Sequence, residues 1–232
     1  MLNSNRRKRI LCGWLCKNYS DLYQSSLKLQ KFLFFYECFC KVKGKLYDFS
    51  SLKGYIQGPV FSNVYGDYTK EQTEFCKSIM IFWKENAPQE NVFCEIDLFT
   101  AKQCAFMCAT MTEQELSDLT HVMNIWKKKE KKIKDGIKQV RLNDTDFTEK
   151  DTKLIMNLID MYSSDLINNK KIINEGSKYF ILTDEDAKML TTTHRNILRE
   201  LADKYSDELL NPTIVEIDKE TGGICILDNQ YK

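Results

Sequence analysis

Between residues 27 and about 42 the chain reads LKLQKFLFFYECFCKV. Leu29, Phe32, Leu33, Tyr36 and Cys40 recur at the three-four spacing of a helix, and Phe34, Phe35 and Phe39 take up much of the remaining face. A helix that is apolar almost all round belongs at the centre of a core. Ser25 or Ser26 can cap its start and Gly44 can stop it. Ahead of it, residues 10–18 predict a short helix with Ile10, Leu11, Trp14 and Leu15 on one side. Behind it, KLYDF and LKGYIQ read as strands joined through Ser50-Ser51, and Gly58-Pro59 ends the second because proline lacks the N–H a ladder needs. A helix restarts near Ser62, and a longer one over residues 70–85 carries Phe75, Ile79, Phe82 and Trp83 up to the stop at Asn86-Ala87-Pro88. NVFCEIDLF reads as a strand or an extended connector.

Helical patterns then crowd together. TAKQCAFMCA is followed by TEQELSDLTHVMNIWKKKEKKIKDG, where Thr112 and Glu115 form a capping-box pattern and the register breaks around residues 119–121, predicting two helices. Gly136 is a second stop. Residues 140–148 read as a surface connector, and Thr148 with Asp151 opens an amphipathic helix. KIIN and KYFIL around Glu175-Gly176 fit a hairpin, though residues 168–182 are ambiguous by pattern alone. Thr183 or Asp184 caps a helix over residues 186–205, and TIVEIDKETGGICIL is the clearest strand pair. The expected fold is mainly α-helical (α+β). It comprises a compact helical domain over residues 10–140 with short strands, and a helical extension over 145–232, ending in a β-hairpin, packed on it.

Composition agrees with a soluble globular chain: only three prolines and nine glycines in 232 residues leave little room for a loop-rich protein. The net charge of +1 supplies no global field for nucleic acid. RRKR at residues 6–9 and KKKEKKIK at 127–134 are basic, and both read as solvated helix faces. The second is interrupted by Glu130 and has no aromatic residue after Trp126, so direct nucleic-acid binding is not expected. An odd count of nine cysteines without a framework spacing, no secretory signal and no membrane-length apolar run predict a cytoplasmic protein with buried free thiols and no membrane contact.

The chain lacks the phosphate-binding glycine motifs, the G-x-S-x-G elbow and H-E-x-x-H. Cys12 with Cys16, and Cys104 with Cys108, have a spacing that puts each pair on one helix face, but within apolar runs this favours core packing over zinc. Only His121 and His194 could serve a cysteine nucleophile. His121 lies among apolar residues, where a satisfied structural histidine is the commoner outcome, and His194 is expected on an exposed helix face. No catalytic residue, cofactor site or metal site is assigned, and an enzyme is not expected. A Cys–His hydrolase using His121 is the weakest alternative.

Three segments in order carry a resemblance: LKLQKFLFFYE at residues 27–37, YIQGPVFSNVY at 55–65 and ELSDLTHVMNIWKK at 115–128. Together they resemble the Panacea domain of SocA-like and GepA-like antitoxins of bacteria and phages. That family shows a K-L-Q-K-L-L-Y-F helix, then W-x-x-G-P-V-x-x-x-V-Y, then L-T-H-x-x-x-x-W. Leu27–Tyr36, with Leu29, Gln30 and Lys31, fits the first; Gly58, Pro59 and Val60 with Val64 and Tyr65 fit the second; Leu119, Thr120 and His121 with Trp126 fit the third. Tyr55 stands where the family usually has Trp, and Ile125 where it often has Pro.

The resemblance spans roughly residues 10–140 and implies an antitoxin that neutralises a protein toxin by direct contact, in some members as an adaptor to a protease. The alternative is a phage or mobile-element adaptor or anti-defence protein that binds a host protein through the same scaffold, with the terminal strand pair augmenting a partner's sheet. Lys28, Gln30 and Lys31 are expected either to cover surface or to hydrogen-bond across to the Gly-Pro-Val segment. The Gly-Pro turn is expected to pack near His121 or Trp126. The partner-facing rim is placed at Gln57, Phe61, Asn63, Tyr65 and Tyr68.

Overall fold

The helix predicted to be central is central. In the computed structural model, which describes residues 2–70, 72–86 and 95–227, α3 (Ser26–Val42) buries every residue from Lys28 to Cys40. It packs against α1 (Arg6–Asn18), α2 (Ser20–Gln24), the strand β2 (Gly58–Phe61) and α4 (Ser62–Lys70). Further along the chain, α7 (Glu113–His121) and α10 (Glu149–Met161) also lie against it. Ser25 caps α3, its hydroxyl accepting from the Lys28 N–H at 3.1 Å. The architecture is mainly helical α+β, as the pattern predicts.

By its contacts the chain divides into two units, Met1–Cys108 with Thr112–Met161, and Ala109–Met111 with Tyr162–Lys232. The first unit runs on through α10 because that helix packs along α3. The remaining elements of this unit are β1 (Leu52–Tyr55), α5 (Gln72–Asn86), α6 (Leu98–Ala109), α8 (Asn124–Lys127), α9 (Glu130–Lys134), β3 (Val140–Arg141) and a 3-10 turn at Asp144–Asp146. Its sheet has the order β2-β1-β3, all antiparallel, with Gly54 opposite both Pro59 and Val140. Gly54 lets α9 approach the sheet, since a Cβ there would sit 2.4 Å from Ile133 Cδ1 and that side chain would have to shift.

Burying α3 on all sides also buries its charges. Glu37 is fully buried, and Lys8 and Arg7 of α1 converge on it: Lys8 Nζ contacts Oε1, and Arg7 Nε donates to the same oxygen at 2.9 Å. The RRKR run therefore turns inward at Arg7 and Lys8 rather than forming a solvated face. Burial pushes the Lys8 ammonium below its usual pKa against the attraction of Glu37. The same demand explains why KLYDF forms no strand. The Asp48 N–H donates to Glu37 Oε2 at 2.9 Å and the Asp48 carbonyl accepts from Lys8 Nζ at 3.0 Å, so this backbone serves buried charges in place of a ladder.

Several boundaries differ from the pattern. Gly58-Pro59 lies inside β2 rather than ending a strand, which is tolerated because β2 is an edge strand. The stretch after Thr112 forms three helices, α7, α8 and α9, rather than two, while the Thr112/Glu115 capping box forms as expected. The 140–148 connector supplies β3, which pairs with β1. Of NVFCEIDLF, residues 91–94 lie outside the described residues. Residues 95–99 form no strand, and Asp97 instead caps α6, accepting the Thr100 N–H at 2.7 Å.

The second unit holds α11 (Ser164–Asn168), β4 (Lys170–Glu175), β5 (Lys178–Thr183), α12 (Asp184–Met189), α13 (Thr192–Lys204), β6 (Thr213–Ile217) and β7 (Ile224–Leu227). Both expected hairpins form and join into one sheet of order β4-β5-β6-β7, with β5 and β6 parallel. Ile173, Phe180, Leu182, Leu198, Ala202 and Val215 make its core. The helix expected over 186–205 breaks at Leu190, which packs on that core, and Thr191 caps a fresh start by accepting the His194 N–H at 3.2 Å. Glu175 is buried and clamped by Arg195 and Arg199, each at 2.7 Å.

Removing one side of the Glu37 network strands a buried charge. Glu37→Gln is expected to lower folding stability by about 3–5 kcal/mol in chemical denaturation, and a compensating Lys8→Met is expected to recover part of that loss.

Candidate functional site

The three motif segments meet at the turn between β1 and β2. Its consecutive carbonyls are each met by a side chain from elsewhere. Trp126 Nε1 donates to the Tyr55 carbonyl at 2.9 Å, His121 Nε2 meets the Ile56 carbonyl at 3.0 Å, and Lys31 Nζ donates to the Gln57 carbonyl. Lys31 also donates to Thr120 Oγ1 at 2.7 Å, and the Thr120 hydroxyl in turn donates to the Ser117 carbonyl at 2.8 Å. One residue earlier on α3, Gln30 Oε1 accepts the Phe61 N–H at 2.9 Å. For Gln30 and Lys31 the structure takes the hydrogen bonds across, to Phe61 and Gln57 on either side of Gly58-Pro59-Val60.

Gly58 is the point of closest approach. Its φ is +111°, and a Cβ there would lie 2.1 Å from Lys31 Nζ and 2.4 Å from Thr120 Oγ1. Only glycine leaves room for the ammonium under the turn. Burial pushes the Lys31 ammonium down to a pKa of about 7. Burial, followed by the nearby Lys31 charge, also holds His121 below its ordinary value. A neutral imidazole facing a carbonyl must carry its proton on Nε2. The ring lies 4.1 Å from that of Trp126, centroid to centroid. Leu29 and Trp126 are core residues, at 0% and 1% exposure.

The proposed rim divides. Gln57 and Tyr65 are exposed, and Asn63 is half-buried. Phe61 and Tyr68 are corrections, because both face inward. Phe61 is fully buried beneath Lys8 Nζ, 3.9 Å from the ring centre, and Tyr68 is buried with its hydroxyl donating to the Gln24 carbonyl at 2.6 Å. Beside the turn lies an open groove of about 630 Å³. Tyr55, Ile56, Val60 and Tyr65 form its apolar side, and Ser25 and Glu113, hydrogen-bonded at 2.5 Å, stand opposite on the helix side. The Tyr55 and Tyr65 rings lie 5.7 Å apart. Ile56 was missed as a rim residue. It is 62% exposed, and an isoleucine at a hairpin tip, where polar turn residues are usual, was the available signal.

The other candidates are committed to structure. Cys12, Cys104 and Cys108 are fully buried, and burial raises their thiol pKa values, that of Cys108 to about 12. Among the described residues no group of three or more His, Cys, Asp or Glu side chains could hold a metal ion. Both ring nitrogens of His194 are engaged, with the Thr191 N–H at 3.3 Å and the Gly222 carbonyl at 2.8 Å. No helix among the described residues is long and apolar enough to cross a membrane. No family model, curated protein or solved structure matches this chain.

Gly58→Ala is expected to destabilise the protein by about 2 kcal/mol or more, from the left-handed backbone and the crowding of Lys31 together; a denaturant melt reads it. Lys31 also sets a pH dependence. Its folded pKa near 7 lies below its unfolded value, so the unfolded chain binds more protons above pH 7 and stability rises with pH there. Between pH 7 and about 8.5, below the ordinary range of thiol and phenol ionisation, wild-type stability should climb relative to Lys31→Met, with no change in the difference below pH 6.

Proposed function

We propose that this protein is a cytoplasmic, antitoxin-like binding protein that neutralises a partner toxin by direct protein–protein contact. The observation that supports this reading is the convergence of the three Panacea-like motifs. Residues 29–31, 58–60 and 120–126 are far apart in sequence, yet the side chains of Gln30, Lys31, Thr120, His121 and Trp126 hydrogen-bond in one cluster around the turn that carries Gly58. Most of the polar atoms of this cluster hold the turn: Lys31 and Thr120 bond each other and carbonyls, while Gln30, which lines the groove together with Lys31, keeps a buried Nε2 without a hydrogen-bond partner among the described residues. The function of the cluster in this reading is to present what stands beside it. Tyr55, Ile56, Gln57 and Tyr65 are the proposed partner-facing residues, since an exposed aliphatic side chain beside a pair of tyrosines suits an interface anchor.

A second reading is favoured by a separate feature. The second unit has its own core and ends in β7, an edge strand of sequence ICIL with Ile226 and Leu227 exposed and no charged residue to blunt it. An adaptor or anti-defence protein could add this edge to a host protein's sheet, or hand its cargo to a protease.

Co-expression separates the readings. With a toxic neighbouring gene as partner, wild type is expected to restore growth. Ile56→Asp and Tyr65→Ala are expected to fail, with partner affinity reduced about 10-fold or more and the thermal midpoint unchanged. If no neighbouring gene is toxic and pull-downs lose their partner only when residues 213–232 are deleted, the adaptor reading replaces the first.

A further inference from the structure

Away from the motif cluster, α1 and α5 approach each other closely. Gly13 of α1 makes this possible, because a Cβ there would lie 3.0 Å from both the Ile79 carbonyl oxygen and Trp83 Cβ of α5. One turn further on, the Cys16 and Cys76 sulfurs face each other at 3.6 Å. Both thiols are free, and both are half-buried rather than sealed, unlike Cys12, Cys38, Cys104 and Cys108. The pair was not singled out by spacing, which grouped Cys16 with Cys12, since 60 positions separate Cys16 from Cys76. The hydroxyl of Tyr23, buried without a hydrogen-bond partner, lies within electrostatic reach of both sulfurs.

We propose that Cys16 and Cys76 are a reversible oxidation site, closing to an intramolecular disulfide by exchange with a small disulfide such as oxidised glutathione. From 3.6 Å the sulfurs need to approach by about 1.5 Å to reach bonding distance. The exchange runs in two displacements. The Cys76 thiolate attacks one glutathione sulfur, forming a mixed disulfide and expelling one glutathione thiolate. The Cys16 thiolate then attacks Cys76 Sγ and expels the second glutathione. In sum, two protein thiols and one glutathione disulfide give one protein disulfide and two glutathione thiols, and the two electrons lost by the protein reduce the glutathione pair. Burial first, then the hydrogen bond to Cys76, holds the Cys16 thiol up at about 12. This suits Cys16 to the second displacement, where proximity compensates for a scarce thiolate.

The bond would close a segment that contains α2, α3, β1, β2 and α4, and so every residue lining the groove except Glu113. Oxidation thereby ties the ends of the segment that carries Tyr55, Ile56 and Tyr65. The site stands on the α1–α5 geometry and holds whether or not the partner is a toxin.

The test uses the full chain at low concentration in native buffer with oxidised glutathione, followed by alkylation of remaining thiols and peptide mapping. The expected result is a dominant Cys16–Cys76 linked peptide, absent in Cys16→Ser and Cys76→Ser, retained in Cys12→Ser and reversed by dithiothreitol. The oxidised wild type should melt about 5 °C or more above its reduced form. Three results would each overturn the proposal: both thiols alkylated as in the reduced protein, a persistent glutathione adduct on Cys76 without the linked peptide, or a linked peptide that arises only after unfolding in urea. Because the reduced wild type is compared with its own oxidised form, a poorly folding variant leaves the outcome readable.

Discussion

Lys31 under Gly58 is the contact on which the motif cluster depends. A lysine at the heart of an apolar helix must either leave the core or find acceptors, since an unpaired buried ammonium is far too costly to keep. Here it finds the Gln57 carbonyl and Thr120 Oγ1, and it can reach them only because Gly58 has no side chain. That one requirement places the β1–β2 turn against α3 and draws in α7. His121 and Trp126 then satisfy the two carbonyls that precede Gln57. The turn is held by side chains at the backbone atoms that a surface hairpin would leave to water.

Glu37 sets the second constraint, six residues further along the same helix. Two cations of α1, the Asp48 N–H and the Asp48 carbonyl through Lys8 complete its surroundings. Replacing such a network by apolar residues is often neutral for stability, so its presence is not explained by strength alone. Its geometric effect is definite: it fixes how α1 lies on α3 and turns residues 46–49 away from sheet pairing. The N-terminal segment is secured separately, by Asp67. Burial would raise that carboxyl, but the N–H groups of Asn3 and Ser4 hydrogen-bond to it and hold it below its usual range. The polar groups of this unit thus orient helices that apolar contact would leave free to slide.

The groove is a consequence of these constraints. With its carbonyls already bonded, the hairpin presents mainly side chains to solvent, and Ile56 and Tyr65 are left exposed beside Tyr55. The second unit solves its folding problem differently. A parallel β5–β6 pair with α12 and α13 between its strands makes a core of its own, and a buried Glu175 is matched by two arginines on one helix face. Its remaining edge, β7, carries no charge that would discourage pairing.

Much of the fold was legible along the chain. The apolar encirclement of α3, the capping box at Thr112, the Thr148 and Thr183 starts and both hairpins of the second unit are local signals, and local signals survive into the structure. The ordered motifs also marked which residues belong together. Pattern could not tell that Phe61 and Tyr68 point inward while Ile56 points out, because inward and outward positions on a four-residue strand and a short helix depend on what packs against them. Nor could it tell that RRKR turns into the core, since a basic run reads as solvated until a buried carboxylate is known to face it. The pairing of Cys16 with Cys76 was hidden for the same reason. Sequence by itself determined most of the longer helical stretches, several of their caps and the central place of α3, through periodicity and side-chain chemistry within a few residues. Tertiary structure alone decided the partners of Lys31, Glu37 and Cys16, because each contact is made across elements whose meeting depends on the whole packed core.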